Sequence, residues 1–479
     1  MKSPGIMALV LGMAGSAFGQ TTIASPAPVP PAYTPVRYNE DYSYLRDPAR
    51  RTDFFDPIKY IPLNDKGDWY ASFGGEVRDR YELFSQNLFG AVPQDHDGYN
   101  LVRVLADADL HLGQYLRVFA QGISATEQFN DLDPRPTDVD QINLEQAFVD
   151  LKLPLADKSS LTLRGGRQNL LFGAQRLIGP LDWTNDRRTF DGFRGTLSTP
   201  GNNLDLFFVQ PVMPAKYSFD NDVRSTEFAG IYDTWQLPGE MAKSHAQLEL
   251  YGLYVERSAT ANFPTEGTAR EERYTVGGRL SANPKPFDFD IEPDYQFGDY
   301  GGGNISAWSI ATEAGYTVAN APLSPRPFIG FDAASGDRTP HNGKLNTFDQ
   351  LFPTGHLFFG YIDVIGRQNI LDLHPGVELS LLKNQPYAKS LTLRTEYHQF
   401  WRESNQDAVY NVGGGVLRAS APNTSSPVGS EIDALLNWQI TRHLSAYAGY
   451  SHFFAGSFIQ QTGAHKDIDF FYTAATYKF

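Results

Sequence analysis

Seven arginines, Arg78, Arg80, Arg103, Arg117, Arg194, Arg279 and Arg394, fall on the polar parity of segments in which polar and apolar residues alternate. A guanidinium stays charged and meets a carboxylate through two parallel hydrogen bonds, so a row of them on one face is a ladder for carboxylate-bearing sugars or small acids. The same side chains can instead pair with Glu76, Glu82, Asp107, Asp109, Asp150 and Glu396 in a structural lattice. Recognition of an anion needs cations left unpaired. Asp288/Asp290 and Glu431/Asp433 stand two apart, and paired carboxyls about 5–10 Å from one another cleave glycosidic bonds. On one strand face such pairs are ordinary wall residues, so no catalytic residue is assigned. His356 and His398 lack His-x-His or His-Glu-x-x-His spacing and cysteine is absent, so no metal site and no cofactor is expected. A loop calcium is the exception, for which residues 128–141 or Ser335-Gly336-Asp337 would supply oxygens.

The elements that must position these residues are strands. In Phe287-Asp-Phe-Asp-Ile-Glu-Pro-Asp-Tyr-Gln-Phe297 almost every odd position is apolar, and the even ones are Asp288, Asp290, Glu292, Asp294 and Gln296. Successive side chains of a strand point to opposite faces, so this segment has one apolar and one charged face. In residues 69–84, Trp69, Phe73, Val77 and Tyr81 oppose Glu76, Arg78, Arg80 and Glu82; residues 99–112 and 389–401 alternate in the same way. Counting similar segments gives about 18 strands and no amphipathic helix. Polar faces that carry opposite charges suit a water-filled lumen, with the apolar faces toward lipid. The fold class is therefore all-β, a transmembrane antiparallel β-barrel. The ending Phe471-Tyr-Thr-Ala-Ala-Thr-Tyr-Lys-Phe479 agrees, because an open terminal strand with an exposed aromatic invites edge pairing, whereas closure removes edges. Trp69, Trp308, Trp401 and Trp438 fit interfacial girdles. Residues 128–141, 211–225, 257–272, 335–366 and 402–428 read as long outer loops or pore plugs.

Composition closes other routes. The 479 residues carry 40 Lys+Arg against 55 Asp+Glu, a net −15, which excludes a general nucleic-acid partner. That acid excess does not oppose an anion filter, since charges are screened beyond about 8–10 Å in physiological salt. Lys2, the apolar Ile6–Phe18 stretch and Ala17-Phe18-Gly19 predict a signal peptide over residues 1–19. A Pro-rich segment follows over 20–66, of which residues up to about 40 are expected to lie outside the fold, and the barrel domain occupies 67–479. Export places the chain in the bacterial outer membrane, with outer-membrane lipid as a partner.

Leu163-Arg164-Gly165-Gly166-Arg167-Gln168, the Phe348-Asp-Gln-Leu351-Phe352-Pro353-Thr354-Gly-His356 run and Tyr397-His398-Gln-Phe400-Trp401-Arg402 resemble the alginate-export family of outer-membrane porins. With Ala333-Ala334-Ser335-Gly336-Asp337 and Tyr447…Gly456, the resemblance covers most of residues 69–479. It implies an 18-stranded barrel whose lumen carries arginines and acidic groups at a constriction. Carried over by motif, Arg164, Arg167 and Arg402 join Arg78, Arg80, Arg103, Arg194, Arg394 and Glu396 as pore-lining residues. An odd spacing puts Arg164 and Arg167 on opposite faces unless Gly165-Gly166 forms a bulge. No arginine precedes Val149-Asp150, where the alginate exporter places one in its lumen.

Together these features point to a non-enzymatic, selective channel exporting an anionic polysaccharide, an alginate-like polyuronate, in company with periplasmic polysaccharide-secretion components. An uptake porin for sugar acids or small organic anions shares every feature but the direction of flux. A secreted polysaccharide-active enzyme or lectin is the alternative from another class, and it would be soluble without detergent.

Overall fold

The computed structural model describes residues 31–385, 388–421 and 423–479. The 1–19 signal-peptide expectation lies outside them. Eighteen strands form one antiparallel wall: β1 (Trp69–Ser85), β2 (His96–Leu112), β3 (Leu116–Gln128), β4 (Asp140–Pro154), β5 (Ser160–Gln168), β6 (Phe190–Thr199), β7 (Asn202–Met213), β8 (Thr226–Gln236) and β9 (Gln247–Phe263). The second half comprises β10 (Gly267–Ala282), β11 (Phe287–Tyr300), β12 (Gly303–Tyr316), β13 (Arg326–Ala334), β14 (Ile370–Gln385), β15 (Ala388–Arg402), β16 (Pro427–Gln439), β17 (Leu444–Ala455) and β18 (Ile468–Lys478). Each pairs with its neighbours in sequence, and β1 meets β18 from Glu76↔Lys478 to Ser85↔Asp469. The sheet is therefore closed, the arrangement in which a lipid-embedded wall leaves no backbone group unpaired.

Side-chain parity follows the sequence pattern. In β1, Trp69, Phe73, Val77 and Tyr81 are 38–47% exposed on the outside, while Glu76, Arg78, Arg80 and Glu82 are buried inside. In β11, Ile291, Tyr295 and Phe297 point out, and Glu292, Asp294 and Gln296 point in. Trp69, Trp308 and Trp438 are exposed on the outer surface, and so is Trp235. One face of every strand thus meets lipid and the other encloses charge.

Two expectations are corrected. Residues 257–272 are not a long loop: β9 and β10 continue through them, from Arg257↔Glu271 across a register shift to Ala261↔Ala269 and Phe263↔Gly267. Phe263 packs with Tyr300, Ile305 and Leu345, so the tall hairpin has a small apolar core of its own. Residues 31–40, the described part of the Pro-rich segment, are not outside the fold either, while the expectation for residues 20–30 lies outside the described residues. Val36, Tyr38 and Leu45 are buried, and Tyr38 sits on the inward rings Phe119 and Phe148 at 6.1 and 5.3 Å. Arg37 donates to Gly75 O (3.0 Å) and Phe479 O (2.8 Å), fastening this segment to the first and last strands at once. The prolines favour an extended chain, and an extended chain enters a barrel mouth at low conformational cost. At Gly74 an added Cβ would come within 2.6 Å of the Asp107 carboxylate and 2.7 Å of the Lys59 ammonium, so these side-chain ends close in directly over the glycine.

A cation placed on the outer face tests the wall. Ile291→Arg is expected to cost about 2–4 kcal/mol in urea unfolding from phospholipid bilayers, the depth-dependent penalty of a lipid-facing charge. An unchanged midpoint would contradict the assignment of that face.

Candidate functional site

Two inward loops, residues 169–189 between β5 and β6 and residues 335–369 between β13 and β14, meet inside the barrel. A parallel bridge joins Ile178 to Phe352, flanked by Gly179 N→Phe352 O and Phe352 N→Leu177 O, both 2.9 Å. Leu170, Phe172, Leu177, Phe348, Leu351 and Ile362 from these loops pack against the inward rings Phe190, Phe228, Phe400 and Phe453 of the wall. The Phe348–His356 run is therefore an apolar plug motif, and its Phe348 is completely buried.

The ladder arginines hold the first loop. Arg78 donates to Asp182 O (2.8 Å) and Thr184 O (2.6 Å), and Arg103 reaches Glu76 (2.6 Å), the Asp182 carboxylate (3.0 Å) and both carbonyls. Arg80 donates to Trp183 O, pairs with Glu82 at 2.9 Å and lies 4.2 Å above the Trp183 ring. Trp183 in turn stacks on His356 of the second loop, with ring centroids 3.5 Å apart. Three arginines that the sequence offers either to substrate or to a structural lattice are thus engaged in fixing one turn across the lumen. Burial raises the Asp182 carboxyl, but Arg103 and then Arg187 outweigh it and hold that carboxyl below the usual carboxylate range.

The remaining arginines separate by height. Arg394 pairs with Glu396 (2.9 Å) and Glu313 (3.3 Å), and Arg279 with Glu249 (3.0 Å) and Asp290. Arg394 and Glu396, together with Arg176, His374 and His398, line a lumen cavity of about 260 Å³. Near the end that bears the C-terminus, Arg164 pairs with Asp150 at 2.7 Å, Arg117 with Asp109 at 2.6 Å and Arg194 with Asp205 at 2.8 Å. These three face a larger cavity of about 770 Å³, beside the Tyr38 segment, whose lining also includes Lys152, Lys158, His111, Glu40 and Asp41. Lys152 and Lys158 are exposed there and make no ion pair among the described residues.

Arg167 and Arg402 do not line the lumen. The register through Gly165-Gly166 is unbroken, Arg164↔Asp150 and Arg167↔Ala147, so Arg167 takes the outer face and pairs with Asp191 at 2.8 Å. Gly166 absorbs the local strain at φ +132°, where a Cβ would come 2.3 Å from Ala147 O. The bulge sits instead in β4, at a register shift opposite Gln121/Gly122 that leaves Glu145 and Gln146 both buried. Arg402 is buried at the top of β15, bonded to Asn405 O (3.0 Å), Thr424 Oγ1 (2.9 Å) and Ser425 O (2.9 Å) and 3.9 Å above the Phe458 ring. It anchors the loop 403–426.

Loop 169–189, which carries Asp182, Trp183 and Arg187, has no period-two pattern and so escapes strand-based reading. The sequence marks it only as an aperiodic stretch between the segments that form β5 and β6.

The sequence matches the Alginate export family over residues 69–472. The chain belongs to the alginate export family. Solved structures of the same fold include Pseudomonas aeruginosa OccK11 (OpdR), with TM-score 0.52 and 13% identity over 85% of this chain and 96% of that one. Pseudomonas aeruginosa OccK2 (OpdF) in complex with glucuronate has TM-score 0.53 and 12% identity, covering 85% and 98%. Pseudomonas aeruginosa OpdK with vanillate has TM-score 0.52 and 11% identity, covering 85% and 98%. No curated protein sequence matches. As an alginate export family barrel the chain is an outer-membrane porin, and its short-turn end, which bears the C-terminus and the 770 Å³ cavity, faces the periplasm.

Asp182→Asn is expected to free the loop. It removes the half-buried anion shared by Arg103 and Arg187, so single-channel conductance should rise and become noisy while the barrel stays folded. A depressed carboxyl loses its stabilising effect only as pH falls through the lowered folded value. The wild-type loop should therefore stay fastened at every pH above about 4, the ordinary aspartate range. Equal conductance of wild type and variant would show that the loop does not limit flow.

Proposed function

We propose that this member of the alginate export family is a passive, carboxylate-selective conduit that carries a polyuronate-type polysaccharide out of the cell. No bond is made or broken in this reading, and the residue 1–19 segment serves to export the chain. The periplasmic vestibule supports it most directly. Lys152 and Lys158, exposed and without an ion pair among the described residues, stand beside the paired Arg117, Arg164 and Arg194 in the lining of a cavity of about 770 Å³, room for several sugar units beside the N-terminal segment. Cations at a cavity mouth concentrate an anionic ligand and favour its approach. Periplasmic polysaccharide-secretion components would deliver the polymer to this mouth. Passage then requires the Tyr38 segment and the Trp183 turn to move aside, since both lie across the lumen.

A second reading, uptake of single sugar acids or small organic anions, is favoured by the smaller cavity of about 260 Å³ between the inward loops and the wall, which suits one ring rather than a chain. The structures of OccK2 in complex with glucuronate and of OpdK with vanillate are consistent with it as relatives in fold.

Planar-bilayer recording separates the two. Polyuronate added to the periplasmic side should block the current, and Arg164→Gln combined with Lys152→Gln should weaken that block about tenfold or more, the worth of one charge-assisted contact. Block by monomeric uronate from the outer side, with indifference to the polymer, would establish the uptake reading instead.

A further inference from the structure

On the lumen face of β14, β15 and β16, Asp372, Glu396, Glu431 and Asp433 crowd around the imidazole of His398, and all of them are buried. Their identified cationic neighbour is Arg394, which is shared between Glu396 and Glu313. His398 Nδ1 lies 2.8 Å from Asp372 Oδ2, which also meets Nδ1 of His374 at 2.9 Å. With Nδ1 toward the Asp372 carboxylate, Nε2 faces Glu396 and Asp433, the orientation in which a histidine ligates a metal, and an ion bound there would take the place of the Nε2 proton. Nε2 stands 3.8 Å from Glu396 Oε2 and 4.0 Å from Asp433 Oδ2. On a tetrahedral cation with bonds near 2.1 Å the ligand atoms lie about 3.4 Å apart, so the two nitrogen–oxygen edges must shorten by about half an ångström, and all three ligand atoms already lie within 4.8 Å of one another.

A second observation also calls for a cation here. Asp433 Oδ2 and Glu431 Oε2 are buried without any hydrogen-bond partner, although the other oxygen of each carboxylate is used. Asp433 Oδ1 accepts from Ser451 Oγ and the Tyr361 N–H, and Glu431 Oε1 from the Ile362 N–H at 2.9 Å. Buried carboxylate oxygens are normally hydrogen-bonded, paired or coordinated to metal.

We infer that Glu396, His398 and Asp433 form a divalent transition-metal site, with Glu431 alongside. One nitrogen and two or three carboxylate oxygens suit zinc or another first-row cation better than calcium, which takes six or more oxygens. Glu396 and His398 also line the cavity of about 260 Å³, so the ion is reached from the lumen, and a position left open toward that cavity would accept a substrate carboxylate. The backbone contacts from Tyr361 and Ile362 make the inner loop a cover for the site, so the ion would also fasten that loop to the wall.

The test is Zn²⁺ alone, titrated by calorimetry into the full-length, EDTA-treated protein in detergent at pH 7. One Zn²⁺ per chain is expected. His398→Gln and Asp433→Asn should each weaken binding about 10–100-fold, whereas His465→Ala, at an exposed position, should leave the affinity unchanged. Glu396→Gln, which preserves volume, decides the matter if either variant fails to form the barrel. Less than one ion per chain, or unchanged affinity in the folded variants, would overturn the site and leave a proton shared between Glu431 and Asp433. The readout requires no transport, so it stands or falls independently of the export reading.

Discussion

The whole structure depends on backbone pairing in a medium without water. Closure of β1 on β18 satisfies the wall, and a closed wall with period-two side chains must send one parity into lipid and the other inward. All subsequent chemistry follows from that partition. Glu76, Arg78, Arg80, Glu82 and Arg103 are inside because their neighbours Val77 and Tyr81 are outside. Once enclosed, these charges need partners, and the lumen fills with guanidinium–carboxylate pairs and with loops whose carbonyls complete the set.

Pairing changes what an arginine row means. A guanidinium already engaged by two carbonyls and two carboxylates, as Arg103 is, offers little to a passing anion. Its role is to hold the Asp182-Trp183-Thr184 turn across the lumen, where Trp183 and His356 stack. Selectivity then falls to groups with spare capacity, of which exposed Lys152 and Lys158 beside Arg164 are the clearest. A net charge of −15 is compatible with this, because wall carboxylates such as Glu76, Asp109, Asp150 and Asp205 are already paired with arginines.

The wall was legible in the sequence because period two survives wherever lipid is on one side. The β11 segment from Phe287 to Phe297 needs no tertiary information, and parity alone restricts Arg164 and Arg167 to opposite faces. Arg402 was misread because a family motif carries residue type but not depth: at the end of β15 an inward side chain meets a folded loop, not the channel. The Trp183 turn and the Tyr38 segment were illegible for a different reason. Both are aperiodic and held by contacts more than 100 residues away, Arg78 to Asp182 and Tyr38 to Asn169. Pro-rich composition marks an extended chain without saying what it runs through. His398 shows the same limit, since its ligand-like neighbours come from three strands and no linear spacing brings them together.

The central claim is that the groups left free to meet ions along the passage are cationic although the chain is acidic. The most direct measurement is the reversal potential of the full-length protein in a planar bilayer under a salt gradient at neutral pH. Anion selectivity, diminished when Lys152 and Lys158 are both replaced by glutamine, is the result expected. Cation selectivity, unaltered by those replacements, would contradict it and assign the passage to the wall carboxylates.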